Sequence, residues 1–204
     1  KNTLHVSHAA ADSDNGIMIV NEAATIADGA LLGAIGFDGA DGAIPSSTLE
    51  SSCFIAAYAA QAHGAGDKGG DLTFGTSLID ENENVVSTRH MTILDSGNVG
   101  IGVTDPNNQL MVGSSTGGDI SVARNDSAIT SGESLGSILF KGKDDGGSGI
   151  YGIGARIQAL ATETWNEATA EGTSLNFYTT DNTTATHDLR MTIDHNGNVG
   201  IGTA

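Results

Sequence analysis

The sequence is short of positive charge, of aromatic rings and of the residues that staple or break a fold. Eight lysines and arginines stand against 25 aspartates and glutamates, a formal net charge of −17. A chain this acidic offers no basic footprint to nucleic acid or to an anionic membrane surface, which argues against both as partners. Charged residues are 16% and aromatics only 4%, the former below the roughly 25% usual for soluble domains. With so few large side chains a thick private core cannot be built, so burial has to come from repetition or from partner chains. The single cysteine, Cys53, leaves no intrachain disulfide framework and reads as a small apolar residue. The longest purely apolar run, Phe54 to Ala60, is far short of the roughly 18 residues of a membrane span. The two prolines, Pro45 and Pro106, fall in turn regions and interrupt no strand interior. No signal peptide is visible, but the chain opens on Lys1 and reads as part of something longer, so the missing signal does not bear on location.

Glycine, at 29 of 204 residues, and internal repetition take the place of these features. Met91-Thr92-Ile93-Leu94-Asp95-Ser96-Gly97-Asn98-Val99-Gly100-Ile101-Gly102 returns as Met191-Thr192-Ile193-Asp194-His195-Asn196-Gly197-Asn198-Val199-Gly200-Ile201-Gly202, with nine of twelve positions identical at a spacing of 100. Each copy reads as strand, turn, strand. Apolar residues alternate with Thr or Gly, and the Gly-Asn pair supplies the positive-φ positions of a tight hairpin. The alternation leaves a bare glycine face on the second strand, where another backbone can approach closely. The three differences fall at 94, 95 and 96, on the turn side.

The rest of the chain aligns around this hairpin. Lys1–Val6 matches Asn107–Val112, and Ile17–Val20 matches Ile120–Ala123. Leu32–Phe37 matches Leu135–Phe140, and Asp71–Phe74 matches Ser174–Phe177. Each pair has apolar residues two apart, the period of a strand. The alanine-rich run 54–62 would suit a helix, with Ser47-Thr48-Leu49-Glu50 as a capping box. Its counterpart Tyr151–Ala159 carries two glycines and a period-two pattern, and repeats share one backbone, so both are expected to be strands. The offset between copies drops from 103 at Phe74 to 100 at Met91, which puts a three-residue indel in the polar loop around 76–88. The expected fold class is all-β: two tandem repeats, 1–106 and 107–204, each of about seven short strands separated by Gly/Asp/Asn turns.

Leu189–Asp194 running into Gly197–Gly202 resembles the repeat region of bacteriophage tail fibres, the type often followed by an endosialidase-type intramolecular chaperone domain. The resemblance extends through Leu135–Ile138, Ala155–Thr164 with Trp165, Leu175–Thr180 and the Pro106–Val112 lead-in. The first copy departs from it most, with its alanine-rich stretch and no tryptophan. The resemblance implies an elongated, intertwined homotrimer and a structural shaft or arm that spaces and presents host-receptor recognition. It also implies a place in the virion, outside the cell, with other tail or baseplate proteins as partners. Threefold closure would cover exposed strand edges and a half-hydrophobic face, with Met91, Ile93, Val99 and Ile101 as candidates for the buried side and the glycine face against a neighbouring strand. Two other readings stay open. One is a module contacting host cell-surface glycan through loops 38–47, 61–70 or 160–172. The other is a bacterial surface adhesin or filament built from the same repeat.

Nothing selects an enzyme. Gly100-x-Gly102 lacks the third glycine of a dinucleotide fingerprint, with Asp105 in its place and no helix signal following, so it reads as a structural pair. Asp12-Ser13-Asp14-Asn15-Gly16 fails the alternation and closing glutamate of a calcium loop, and the Gly/Asp turns at 38–42 and 144–147 read as plain turns. His5, His8, His63, His90, His187 and His195 are scattered, and His5 and His8 point to opposite faces of the expected strand. An axial histidine in a trimer, present three times over, is the one arrangement that would suit a metal. No cofactor, metal or catalytic site is expected. Asn125-Asp126-Ser127 and Asn182-Thr183-Thr184 are glycosylation sequons of the short kind that arises by chance. Trp165 and Tyr178 are the aromatics placed to stack on a sugar, against the plainer reading that Trp165 packs on a strand or a subunit.

Overall fold

The computed structural model describes residues 17–39, 44–82, 85–143, 151–166 and 169–202. The lead-in Lys1–Val6, His5, His8, the Asp12–Gly16 segment and most of the two Gly/Asp turns lie outside them. All the regular structure among the described residues is β, in two compact units, 1–120 and 121–204. Each unit holds one sheet. The first runs in the order β1 (Leu31–Phe37), β2 (Cys53–Ala59), β3 (Gly70–Thr76), β4 (Thr88–Ile93), β5 (Val99–Ile101) and β6 (Leu110–Val112). The second comprises β7 (Ser134–Lys143), β8 (Tyr151–Ala161), β9 (Thr173–Thr180), β10 (His187–Ile193) and β11 (Val199–Ile201), again in sequence order across the sheet. Every neighbouring pair is antiparallel except β5 and β6, which run parallel. A parallel pair needs a crossover rather than a two-residue turn, and the chain makes it through residues 102–109. The strand that opens the second repeat therefore hydrogen-bonds to the sheet of the first.

The alanine-rich run is β2, as its counterpart required. Alanine here is a spacing device: Ala34, Ala56 and Thr73 stand opposite one another across β1, β2 and β3. Phe54, Ala56 and Tyr58 are buried beside them, with Leu31, Ala34 and Leu49 packed against the cluster. Gly75 makes room for Phe54, since a Cβ there would lie 2.3 Å from the ring. Bulges recur at matching places. β1 and β7 each carry an extra leucine, Leu32 and Leu135, and β4 and β10 each carry an extra residue, His90 and Arg190. The carbonyls of those last two accept the N–H of Gly102 and Gly202, so the bulge and the glycine form one repeated device.

Two expectations are corrected. Ile17–Val20 and Ile120–Ala123 form no strand, so among the described residues the second repeat has six strands rather than seven. Ile19 instead lies over Gly33 and Val122 over Gly136, where an added Cβ would fall 2.5 Å and 2.6 Å from their side chains. Each covers the bare glycine with one side of its side chain and stays about half exposed, at 51% for Ile19 and 52% for Val122. The second correction concerns the glycine face of the hairpin. Gly100 is covered by its own chain, with a Cβ position 2.1 Å from the carbonyl oxygen of Val103 and 3.3 Å from Pro106. The turn after β5 folds back over the face expected to meet another strand.

Candidate functional site

Strand register turns the scattered apolar residues into ordered rows. Across the first sheet Ile35, Ile55, Phe74, Met91, Ile101 and Val112 are successive neighbours. Two residues along, Gly33, Ala57, Leu72, Ile93, Val99 and Leu110 form a second row on the same face. The second sheet repeats both. Ile138, Ile157, Phe177, Met191 and Ile201 form one row, and Gly136, Ala159, Leu175, Ile193 and Val199 the other. At every position the two sheets share in these rows the residues are identical. All four hairpin residues expected on the buried side, Met91, Ile93, Val99 and Ile101, lie on this face.

The face is apolar, yet much of it is open to solvent. Ile138 and Val199 are more than half exposed and Ile201 is 75% exposed, with Ile35 and Ile101 close behind. A sheet that is apolar on one side needs a second layer. At the β1 end of the first sheet Ile17 and Ile19 supply a little of it, beside Leu32–Ile35, Ile55–Ala57 and Leu72.

The opposite faces differ between copies. In the first, Ala34, Ala56, Thr73, Thr92 and Gly100 form the central row, and the Thr73 hydroxyl donates to the Ala56 carbonyl. In the second, the same row reads Ser137, Gln158, Asn176, Thr192 and Gly200. Gln158 and Asn176 are buried, and both are satisfied within the sheet. Gln158 Nε2 donates to Ser134 at 2.9 Å, and Thr192 Oγ1 donates to Asn176 Oδ1 at 2.9 Å. Flanking these rows, Arg89 lies 3.9 Å over the Tyr58 ring and Arg156 lies 4.1 Å over Tyr178. What the two repeats share is thus the large apolar face, and what they vary is the small or polar one.

The three variable turn positions also have a physical account. Both hairpins close with Gly97 or Gly197 donating to the carbonyl of residue 94 or 194, at positive φ. In the second, Asp194 Oδ1 accepts from the N–H groups of Asn196 and Asn198, and Oδ2 accepts from the Asn198 amide. In the first, Leu94 cannot do this. Ser96 receives the Asn98 N–H, and the Asn98 amide turns to the Pro106 carbonyl. The Asn198 side-chain amide, followed by its backbone N–H, holds the Asp194 carboxyl below the ordinary carboxylate range. The contribution of Asp194 is therefore complete above the ordinary value of about 3.9 and is lost as pH falls through the lower folded value. In an NMR titration the Asn196 and Asn198 amides are expected to move with the Asp194 carboxyl, while Asn98 stays still. Equal movement at Asn98 and Asn198 would show that the side chain at 194 is irrelevant to the turn.

The remaining candidates do not converge. His63 Nε2 meets the Gly69 carbonyl at 2.9 Å, His187 stands edge-on to Tyr178, and His195 touches the Asn196 amide. His90 is exposed at the β4 bulge. No cluster of three metal-ligating side chains occurs among the described residues. Cys53 sits half-buried in β2. Trp165 is half-buried and its ring N–H donates to the Gly172 carbonyl at 3.4 Å. Asn125 and Asn182 are exposed. Arg190 donates to Thr179, Asp188 and Asp181, and the carboxylate of Asp181 raises its already high pKa.

No family model and no curated protein matches the sequence. Among solved structures, the carboxy-terminal domain of the bacteriophage T5 L-shaped tail fibre with its intramolecular chaperone domain superposes on 98% of the chain, with a TM-score of 0.50 at 13% identity. The chain has the fold of that tail-fibre domain. It spans 62% of the length of that structure. A further structure of the T5 fibre domain matches over 100% of the chain and 91% of its own length, at 13% identity and a TM-score of 0.42. The tail-fibre fold agrees with the resemblance read from Leu189–Gly202, and it is all-β as expected. The apolar rows, visible only once strands are paired, are what sequence reading missed. The signal available was the identity of Ile, Phe, Met and Ile at matching places in both copies.

Proposed function

We propose that this chain is a shaft or arm segment of a trimeric phage tail fibre. In this reading three copies turn their apolar faces toward one axis and so supply the missing second layer. The segment then acts mechanically. It holds host-receptor recognition at a distance from the virion, joins other tail or baseplate proteins in line, and leaves contact with a host cell-surface glycan to its loops. The observation that carries the reading is the residue-for-residue repetition of a half-exposed apolar face in both sheets. A surface kept for solubility alone has no need of Phe74 and Phe177 at the same register. Threefold closure supplies a covering layer for such a face, and the acidic exterior limits lateral aggregation. Light scattering on the native chain is expected to return three times the mass of one chain. A folded monomer at working concentration would overturn the proposal.

A further inference from the structure

The face of the second sheet opposite its apolar rows carries positive charge in a chain that is otherwise acidic. Paired residues share a face, and faces alternate along each strand. Leu139, Arg156 and Tyr178 are therefore neighbours on that face, one row from Gln158 and Asn176. β9 pairs with β8 only from Ala155 onward. Before it β7 and β8 run as a two-stranded ribbon, with Lys141 opposite Ile153 and Lys143 opposite Tyr151. The bulge between Phe140 and Lys141 takes its extra residue, Gly154, from β8. Alternation along β7 is unbroken, so both lysines share the face of Arg156. Among the described residues, no strand position on this face holds a carboxylate. Asp181 and Asp188, at the same end of the sheet, are both held by Arg190. Asp144 and Asp145 lie outside the described residues. In the first sheet the matching places hold Asp38, Ala40 and Phe54, and Phe54 is buried in the cluster that Leu49 packs against.

The cations of the ribbon keep their charge outward. Lys141 and Lys143 are exposed and make no ion pair among the described residues. Arg156 lies 4.1 Å over the Tyr178 ring, and its Nε is buried with no hydrogen-bond partner among the described residues. Tyr151 is 57% exposed. A cation and a tyrosine thus stand side by side at each end of the patch, with Lys141 between them. Residues two apart on a strand are about 6.6 Å apart, so the three cations span about 13 Å. We infer that this face binds an acidic polysaccharide, one with carboxylates on its sugar rings. The lysines and the Arg156 guanidinium take the carboxylates, and the tyrosine rings take the apolar faces of the sugars. An open ribbon is not the concave pocket of a small molecule, so the ligand is a chain laid along it. A peptide would pair with a strand edge instead. Duplex nucleic acid carries one charge per about 1.7 Å, and it would run on from three cations over the acidic rest of the chain. Charges more than about 8 Å away are largely screened at physiological salt, so the local sign decides for a sparser polymer. The site lies within one chain, so it rests on the glycan contact proposed above but not on threefold closure.

Hyaluronan and polygalacturonate, with neutral dextran beside them, test it by titration calorimetry on the full chain. At least one polyuronate is expected to bind, more weakly as salt rises, and dextran is expected not to bind. Lys141→Glu with Lys143→Glu is expected to weaken binding about tenfold or more, with circular dichroism and the mass by light scattering unchanged. Tyr151→Ser removes a ring and no charge, and is expected to weaken binding about threefold or more. Lys68→Glu, a charge reversal in the first repeat, is expected to leave binding unchanged. Binding of neither polyuronate, equal binding of dextran, or indifference to the lysine pair would each overturn the inference. Tighter binding of duplex DNA or polyglutamate would assign the face to another class of partner and overturn it too. Loss of self-association in the lysine variant would make the face a contact between chains, with the same result. A monomer that binds a polyuronate fails the trimer and keeps the site, whereas a trimer that binds neither fails the site and keeps the trimer.

Discussion

Phe177→Asp is expected to abolish self-association of the chain while leaving most of its β structure in place. Phe177 sits in the middle of its row, between Ile157 and Met191, and is half-buried in the single chain. Its free surface is what a trimer would remove from water. Fully burying a phenylalanine contributes about 1.5–3 kcal/mol; with only about a third of that surface left to cover, each copy contributes about 0.5–1 kcal/mol and three symmetric copies about 1.5–3 kcal/mol. At about 1.4 kcal/mol per factor of ten, the lost packing alone lowers the assembly constant by roughly one to two orders of magnitude, and the cost of burying three carboxylates adds to it. Light scattering should report one chain, and circular dichroism should still report sheet, because the opposite face keeps its buried Gln158–Asn176 row. Phe74→Asp should act in the same way in the first sheet. Lys68→Glu, on an exposed loop residue, should leave the trimeric mass unchanged. A Phe177→Asp chain that still measures as a trimer would place the interface elsewhere.

Gly102→Ala and Gly202→Ala form a matched pair with unequal expected costs. Both glycines adopt positive φ, at 71° and 69°, where an alanine loses about 1–2 kcal/mol. Only Gly102 also has the Gly113 oxygen in the way. Forcing atoms into a filled space adds about 1–3 kcal/mol, so Gly102→Ala should cost about 2–5 kcal/mol and Gly202→Ala about 1–2 kcal/mol. Native-state hydrogen exchange in dilute solution reads each effect in its own sheet. The amides of β4, β5 and β6 should lose protection by the larger amount and those of β10 and β11 by the smaller. Equal losses would mean that the β6 crossover does not press on Gly102.

Several elements were legible in advance for reasons that are local. The hairpins follow from period-two alternation around Gly-Asn, and both strands with their positive-φ Gly97 and Gly197 are present. The alanine-rich stretch was ambiguous by propensity alone, and its glycine-bearing counterpart Tyr151–Ala159 decided it. Ile17–Val20 misled because apolar residues two apart look the same whether a segment joins a sheet edge or lies across a glycine gap. The difference is made by Gly33, which is distant in sequence. Gly100 misled for a related reason. Its bare face was legible, but what covers it, the Val103–Pro106 turn, depends on the path the chain takes to β6.

The sequence by itself determined the all-β class, the repeat of about a hundred residues, the absence of a basic surface and the residues available for an assembly face. These depend on alternation, composition and internal identity, which are properties of short stretches. Tertiary structure decided register. Only when β1 to β6 are paired do Ile35, Ile55, Phe74, Met91, Ile101 and Val112 fall into one line, because a shift of one residue in any pairing would send that strand's apolar set to the other face. Tertiary structure also showed that the opening strand of the second repeat closes the sheet of the first, since a parallel pairing across an eight-residue crossover leaves no mark in the local pattern of either strand.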